Sequence, residues 1–149
     1  MRIKFNGKIL VIGCGSVSQC TLPLILKHID MPPQKITVMD MIDNKHRVQD
    51  VLAKGVKYVM DKIEIDNLGQ KLAQHVGPGD LIIDLAWNIG CTDILQWCQD
   101  NQVLYINTSV ELWDPYEGAE DKLPTERTLY VRQMAIREML KGWKEKGKA

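Results

Sequence analysis

Hydrophobic positions change period several times along the chain, and each change marks an element. Ile9-Leu10-Val11-Ile12 is a continuous apolar run, the length and pattern of a strand covered on both faces. It breaks into Gly13-Cys14-Gly15, after which Leu22, Leu24, Ile25, Leu26 and Ile29 recur as one side of a helix that Met31-Pro32-Pro33 stops. Proline lacks the helix donor and disfavours helix in the residue before it. Lys35 to Asp40 reads as a second strand ending in an acid. A helix opens at Asp43-Asn44, either of which suits its N-cap, and runs through Val48, Val51 and Leu52 to Gly55. Lys57-Tyr58-Val59-Met60 is a short third strand suited to a sheet edge, followed by a helix from Leu68 to Val76 that Gly77-Pro78-Gly79 closes.

Asp80 to Ala86 is the fourth strand, nearly continuous in apolar residues, and Trp87 to Gly90 is the loop behind it. Thr92 to Asn101 gives a helix and Val103 to Thr108 the fifth strand. An aromatic loop with Trp113, Pro115 and Tyr116 leads through a polar stretch to a last helix, from Pro124 to about Lys144. Its Tyr130, Met134, Met139, Leu140 and Trp143 recur at helical spacing, as a stripe facing a core or a partner. Residues 1 to 7 are a polar lead-in, and the ending from Lys141 to Ala149 has the composition of a linker. Strands alternating with helices across short connections predict an α/β domain spanning residues 1–149. The expected architecture is a Rossmann-type doubly wound parallel sheet of order 3-2-1-4-5, with a C-terminal amphipathic helix.

The strand, glycine turn and helix start together form a phosphate cradle, because a helix N-terminus offers free N–H groups and a partial positive charge. Gly13 makes the tight turn and Gly15 allows close approach of a pyrophosphate. Ser16 and Val17 begin the helix, and Ser18 takes the third motif position, where glycine or alanine is usual and a serine is still small enough to fit. Asp40 closes the second strand, further from Gly13 than the ~20 residues of the usual fingerprint, an excess that a full-length helix and the two-proline loop absorb. A carboxylate there accepts hydrogen bonds from ribose hydroxyls and repels a 2′-phosphate, so the expected cofactor is NAD rather than NADP. In doubly wound sheets ligands lie beyond the carboxyl ends of the strands at the point where the order reverses. This brings in Leu85, Ala86 and Asn88 after strand four and Asn107 to Glu111 after strand five. Asn88 and Asn107 read equally well as turn residues. Glu111, held beside Val110, Leu112 and Trp113, is a candidate amine partner or proton-transfer group, with an exposed loop glutamate as the alternative.

Composition narrows the partners. Nineteen basic and nineteen acidic residues give a formal net charge of zero, which argues against a nucleic-acid or anionic-membrane partner. No apolar run approaches the ~20 residues of a membrane span, and charge returns too early at the N-terminus for a signal peptide. Cys14, Cys20, Cys91 and Cys98 form no C-x-x-C pair, so they are expected to be reduced, in a cytoplasmic protein. Cys14 at a helix N-terminus is a candidate low-pKa thiol, though a small side chain filling a variable motif position is the simpler reading. His28, His46 and His75 have no partner at metal or triad spacing, so no metal site is expected.

Gly13-Cys14-Gly15-Ser16-Val17-Ser18-Gln19 followed by Thr21-Leu22-Pro23-Leu24-Ile25 resembles the opening of bacterial homospermidine synthases, relatives of saccharopine dehydrogenases. Leu104-Tyr105-Ile106-Asn107-Thr108-Ser109-Val110-Glu111-Leu112-Trp113 is similar to that family's segment whose glutamate lines the polyamine site, and Glu126-Arg127-Thr128-Leu129-Tyr130 also matches. Ser18 stands where the family usually has glycine, and Asn88 where some members have aspartate. The resemblance implies an enzyme in which NAD oxidises an amine of putrescine to an imine. Ammonia is then exchanged for a second diamine, putrescine or spermidine, and the returning hydride yields homospermidine. It assigns Glu111 an ammonium-anchoring, catalytic role. Family members are roughly three times longer, so it further implies an N-terminal cofactor domain, with a homodimer formed through other parts. A non-catalytic NAD-sensing regulatory domain and a saccharopine dehydrogenase-like oxidoreductase are the alternative readings.

Overall fold

The computed structural model describes residues 2–143. Two short strands, β1 (Ile3–Lys4) and β3 (Ile29–Asp30), pair in parallel as a separate ribbon, and the other five form one parallel sheet. In chain order the elements are β1, β2 (Ile9–Ile12), α1 (Ser16–His28), β3, β4 (Ile36–Asp40), α2 (Gln49–Leu52), β5 (Lys57–Met60), α3 (Leu68–Ala73), β6 (Leu81–Asp84), α4 (Cys91–Asp100), β7 (Leu104–Asn107) and α5 (Leu129–Met139). The main sheet runs β5-β4-β2-β6-β7, which is the 3-2-1-4-5 order expected of its five strands. Its register places Val11 between Val38 on one side and Ile83 on the other.

β2 is buried at all four positions, and its alternate side chains feed two cores. Ile9 and Val11 meet Leu22 and Ile25 of α1 and Val51 of α2 on one face. Leu10 and Ile12 meet Leu68 and Leu72 of α3 and Ile94 and Cys98 of α4 on the other. This double coverage is why the strand carries no polar residue. The chain leaves β2 toward β4 and β5, then returns past it to β6. The reversal therefore falls between the carboxyl ends of β2 and β6, at Gly13 and Leu85.

Three elements depart from expectation. The helix predicted from Asp43 to Gly55 is a 3-10 turn at Lys45–Arg47 and the four residues of α2. Asn44 does not cap it through its side chain; Asn44 Nδ2 donates to Asp40 instead, at 3.3 Å. The last helix is a 3-10 turn at Pro124–Arg127, then α5, capped by the Thr128 hydroxyl that accepts from the Val131 N–H. α5 buries no residue. The Tyr130 stripe therefore does not face a core: Tyr130 is 71% exposed and belongs to neither apolar cluster. Lys144 and the rest of the predicted linker to Ala149 lie outside the described residues. β1 and β3 went unforeseen, because two-residue strands carry no periodicity to read.

Candidate functional site

A cleft of about 450 Å³ opens at the carboxyl ends of β2, β4 and β6. Gly13, Cys14 and Gly15 form its floor, Asp40 to Ile42 with Asn44 and Asp61 to Ile63 one wall, and Leu85 to Ile89 the other. Gly13 lies at φ +94°, and a Cβ there would stand 2.7 Å from the Leu85 carbonyl oxygen, so both backbone conformation and the neighbouring strand require glycine. Gly15 is different. It has extended backbone angles, and a Cβ there would meet nothing within 4 Å. No described residue demands glycine at that position, and the space left above it opens on the N-terminus of α1. No described side chain caps that helix, and the N–H groups of Ser16, Val17 and Ser18 find no acceptor among the described residues. A phosphate supplies what those donors lack.

Two side chains hold the turn. Ser18 is fully buried and its hydroxyl donates to the Gly13 carbonyl, so the serine fills the third motif position by tying the turn to the helix. Its side chain does not line the cleft. Asp40 Oδ2 accepts from the Cys14 N–H at 2.7 Å, and Oδ1 accepts from the Ile42 N–H at 3.1 Å. Each carboxylate oxygen takes two hydrogen bonds, which leaves Oδ1 free to accept another on the cleft side. Cys14 is buried with its Sγ near the Asn44 carbonyl, and burial together with the Asp40 charge pushes its thiol above the ordinary range. Burial first, and the Asp40 charge after it, act against the low-pKa alternative for Cys14.

On the opposite wall Asn88 adopts a left-handed conformation, φ 57°, and its Oδ1 is buried with no hydrogen-bond partner. That oxygen is closed off from solvent, an unpaired acceptor within the wall of the cleft among the described residues. Trp87 beside it is 72% exposed. Below them Asp84, only 4% exposed, accepts from the Tyr105 hydroxyl at 2.8 Å and from the Ala86 N–H at 3.1 Å. Burial raises its pKa, and the two hydrogen bonds oppose that rise.

The structure thus gathers Gly13, Gly15, Asp40, Leu85, Ala86 and Asn88 around one cleft, with Ser16 and Val17 at its rim as backbone donors. Asn107 and Glu111 do not line it. Asn107 Nδ2 donates to the Ser109 carbonyl, the turn role weighed for it. Glu111 is half-buried, its carboxylate bonded by the Ser109 hydroxyl and its backbone oxygen by the Cys91 N–H at 3.1 Å. Its charge adds the smallest of the contributions that raise the Asp84 pKa. The far wall, Met41, Ile42 and Asp61 to Ile63, escaped the sequence reading, which extended the switch-point rule only toward strands four and five. Asp84 escaped it too, although a lone acid inside an apolar strand was a visible signal.

Residues 9–149 match the model of the saccharopine dehydrogenase NADP binding domain. The chain belongs to that family. It is 31% identical over 136 residues to a homospermidine synthase of Blastochloris viridis, and 30% identical over 139 residues to one of Mesorhizobium japonicum. These alignments cover 89% and 91% of this chain and 28% of each relative, so the chain spans little more than a quarter of their length. The crystal structure of a homospermidine synthase from Legionella pneumophila, in complex with NAD, superposes with a TM-score of 0.79. That match covers 95% of this chain and 28% of the other at 23% identity, and it shows a shared fold. No described helix is long and apolar enough to cross a membrane.

Proposed function

We propose that this chain is the NAD-binding part of a homospermidine synthase-type enzyme acting on putrescine. The observation that carries the reading is the cleft itself. A glycine turn with open space above Gly15 and free donors at α1 faces Asp40 on one wall and the unsatisfied Asn88 on the other. The residues fit a dinucleotide: pyrophosphate over Gly15 and a ribose hydroxyl donating to Asp40 Oδ1, with the Asn88 loop as the opposite wall. The bound cofactor would supply hydride acceptance and return, with no net redox. The chain's own tasks are to orient the cofactor and to keep a carboxylate, Glu111, on the side of the strand-five segment for an ammonium group. Both named relatives at about 30% identity are homospermidine synthases, which supports polyamine over other amine substrates. The family's name carries NADP, whereas Asp40 favours NAD, since its carboxylate would face a 2′-phosphate.

Calorimetric titration with NAD and NADP tests this reading. NAD is expected to bind the tighter, and Asp40→Ala to weaken it by about 1–3 kcal/mol. Equal affinities, or binding of neither, would overturn the cofactor assignment. In a protein that carries out the whole reaction, Glu111→Gln is expected to leave NAD binding intact and to slow homospermidine formation at least tenfold. Unchanged turnover at saturating NAD would remove Glu111 from the site.

A further inference from the structure

The wall of the cleft that carries Asn88 hangs on one buried carboxylate. β6 ends at Asp84, and the chain then runs through the half-buried Leu85 and Ala86 and the exposed Trp87 before Asn88 turns left-handed ahead of α4. No hydrogen bond within the loop spans Ala86 to Gly90; the Leu85 N–H donates back to the Ile12 carbonyl, and the Ala86 N–H donates to Asp84 Oδ1. Asp84 Oδ2 is in turn fixed by the Tyr105 hydroxyl from the neighbouring strand β7. A buried carboxylate is costly unless hydrogen bonds compensate it. Here the two bonds tie the second residue after β6 to β7. We infer that Asp84 is a positioning residue of the cofactor cleft: through Ala86 it sets the path of the loop that forms the Asn88 wall, with Tyr105 as its anchor.

Other groups around Asp84 do not take over that task. Cys91 and Cys98 of α4 feel its charge but are buried thiols, and burial pushes them up to about 11 and about 12. Tyr105 is likewise driven upward by burial first and by Asp84 second, so it stays a donor throughout the range in which Asp84 titrates. Glu111, the remaining charged neighbour, raises the Asp84 pKa and offers the loop no donor. The Tyr105 hydrogen bond acts in the opposite direction, stabilising the charged form.

This inference rests on the cleft being the dinucleotide site, and two measurements keep the two claims apart. In the ligand-free 149-residue chain, the Ala86 amide signal in a nitrogen-proton correlation spectrum is expected to titrate with Asp84, its midpoint above the ordinary carboxylate range. Tyr105→Phe is expected to move that midpoint upward. A midpoint that Tyr105→Phe leaves in place, or an Ala86 signal that does not titrate, would overturn the inference whatever the cofactor. In the second measurement Asp84→Leu is expected to cost at least tenfold in NAD affinity. Asp84→Asn, which keeps an oxygen for the Ala86 N–H and an amide for the Tyr105 oxygen, is expected to recover to within about threefold of the parent. If Asp84→Leu binds NAD as the parent does, Asp84 has no positioning role. If the parent binds no NAD, the cofactor reading falls and takes the positioning role with it, and the amide titration then decides only whether Asp84 fixes the loop.

Discussion

Gly13 and Gly15 lie two residues apart and are glycines for different reasons, which substitution separates. At Gly13 a methyl group would meet the Leu85 carbonyl at 2.7 Å with φ at +94°, so Gly13→Ala is expected to lower stability by about 2–3 kcal/mol. At Gly15 the methyl meets only open space, and Gly15→Ala is expected to stay within about 1 kcal/mol of the parent in urea denaturation. Its effect belongs on the ligand side: the methyl occupies the volume a pyrophosphate needs, and NAD affinity is expected to fall at least tenfold by calorimetry. A Gly15→Ala chain that binds NAD normally would mean that the open space above the turn holds nothing. Both glycines could be read from the motif, but the motif treats them alike. What distinguishes them is the position of β6, a strand more than sixty residues further along, and no local pattern carries that. Asp84 shows the same limit from the other side. An acid within an apolar run signals a buried charge, yet its partner Tyr105 looks like any other strand tyrosine until the register of β6 against β7 is fixed.

At the level of elements, the sheet was legible because buried parallel strands are apolar throughout, and because glycine and proline clusters mark their ends. The helices were legible only where packing agrees with pattern. α4 buries Cys91, Ile94, Leu95 and Cys98 along one side, and its prediction was good to a residue. α5 has an apolar pattern as well, but it buries nothing, since periodicity says which side is apolar and not what covers it. One link from the Arg132 guanidinium to the Val110 carbonyl, at 3.1 Å, ties α5 to the segment after β7. Such a helix opens locally at low cost. Amide hydrogen exchange of the 149-residue chain should therefore show Tyr130 to Met139 exchanging through local openings of about 0–2 kcal/mol, while β2 and β6 exchange near the global unfolding free energy. Protection in α5 equal to that of β2 would place a cover on the helix that the described residues do not provide.

Across the whole molecule the two cores lie on opposite faces of the sheet, and each buries a thiol. The α1 side holds Cys14 fully buried, and the α3–α4 side holds Cys98 fully buried within it and Asp84, Tyr105 and Cys91 at its edge. Burial, and after it the Asp84 charge, pushes the Cys98 thiol up to about 12 and the Cys91 thiol up to about 11. An unfolded chain releases those protons near the ordinary thiol value of 9.0. Between that pH and the folded values the unfolded state binds fewer protons than the folded one, so stability is complete below about pH 9 and declines as pH rises. Each thiol contributes at most about 1.4 kcal/mol per pH unit to that slope. Urea denaturation at pH 8, 9, 10 and 11 is expected to trace the decline. Cys98→Ala should reduce the slope by about one proton while costing some stability at pH 8 through the small cavity it leaves. A slope that Cys98→Ala does not change would mean that the thiol ionises as readily folded as unfolded, and that the α3–α4 core is open to water where the structure closes it.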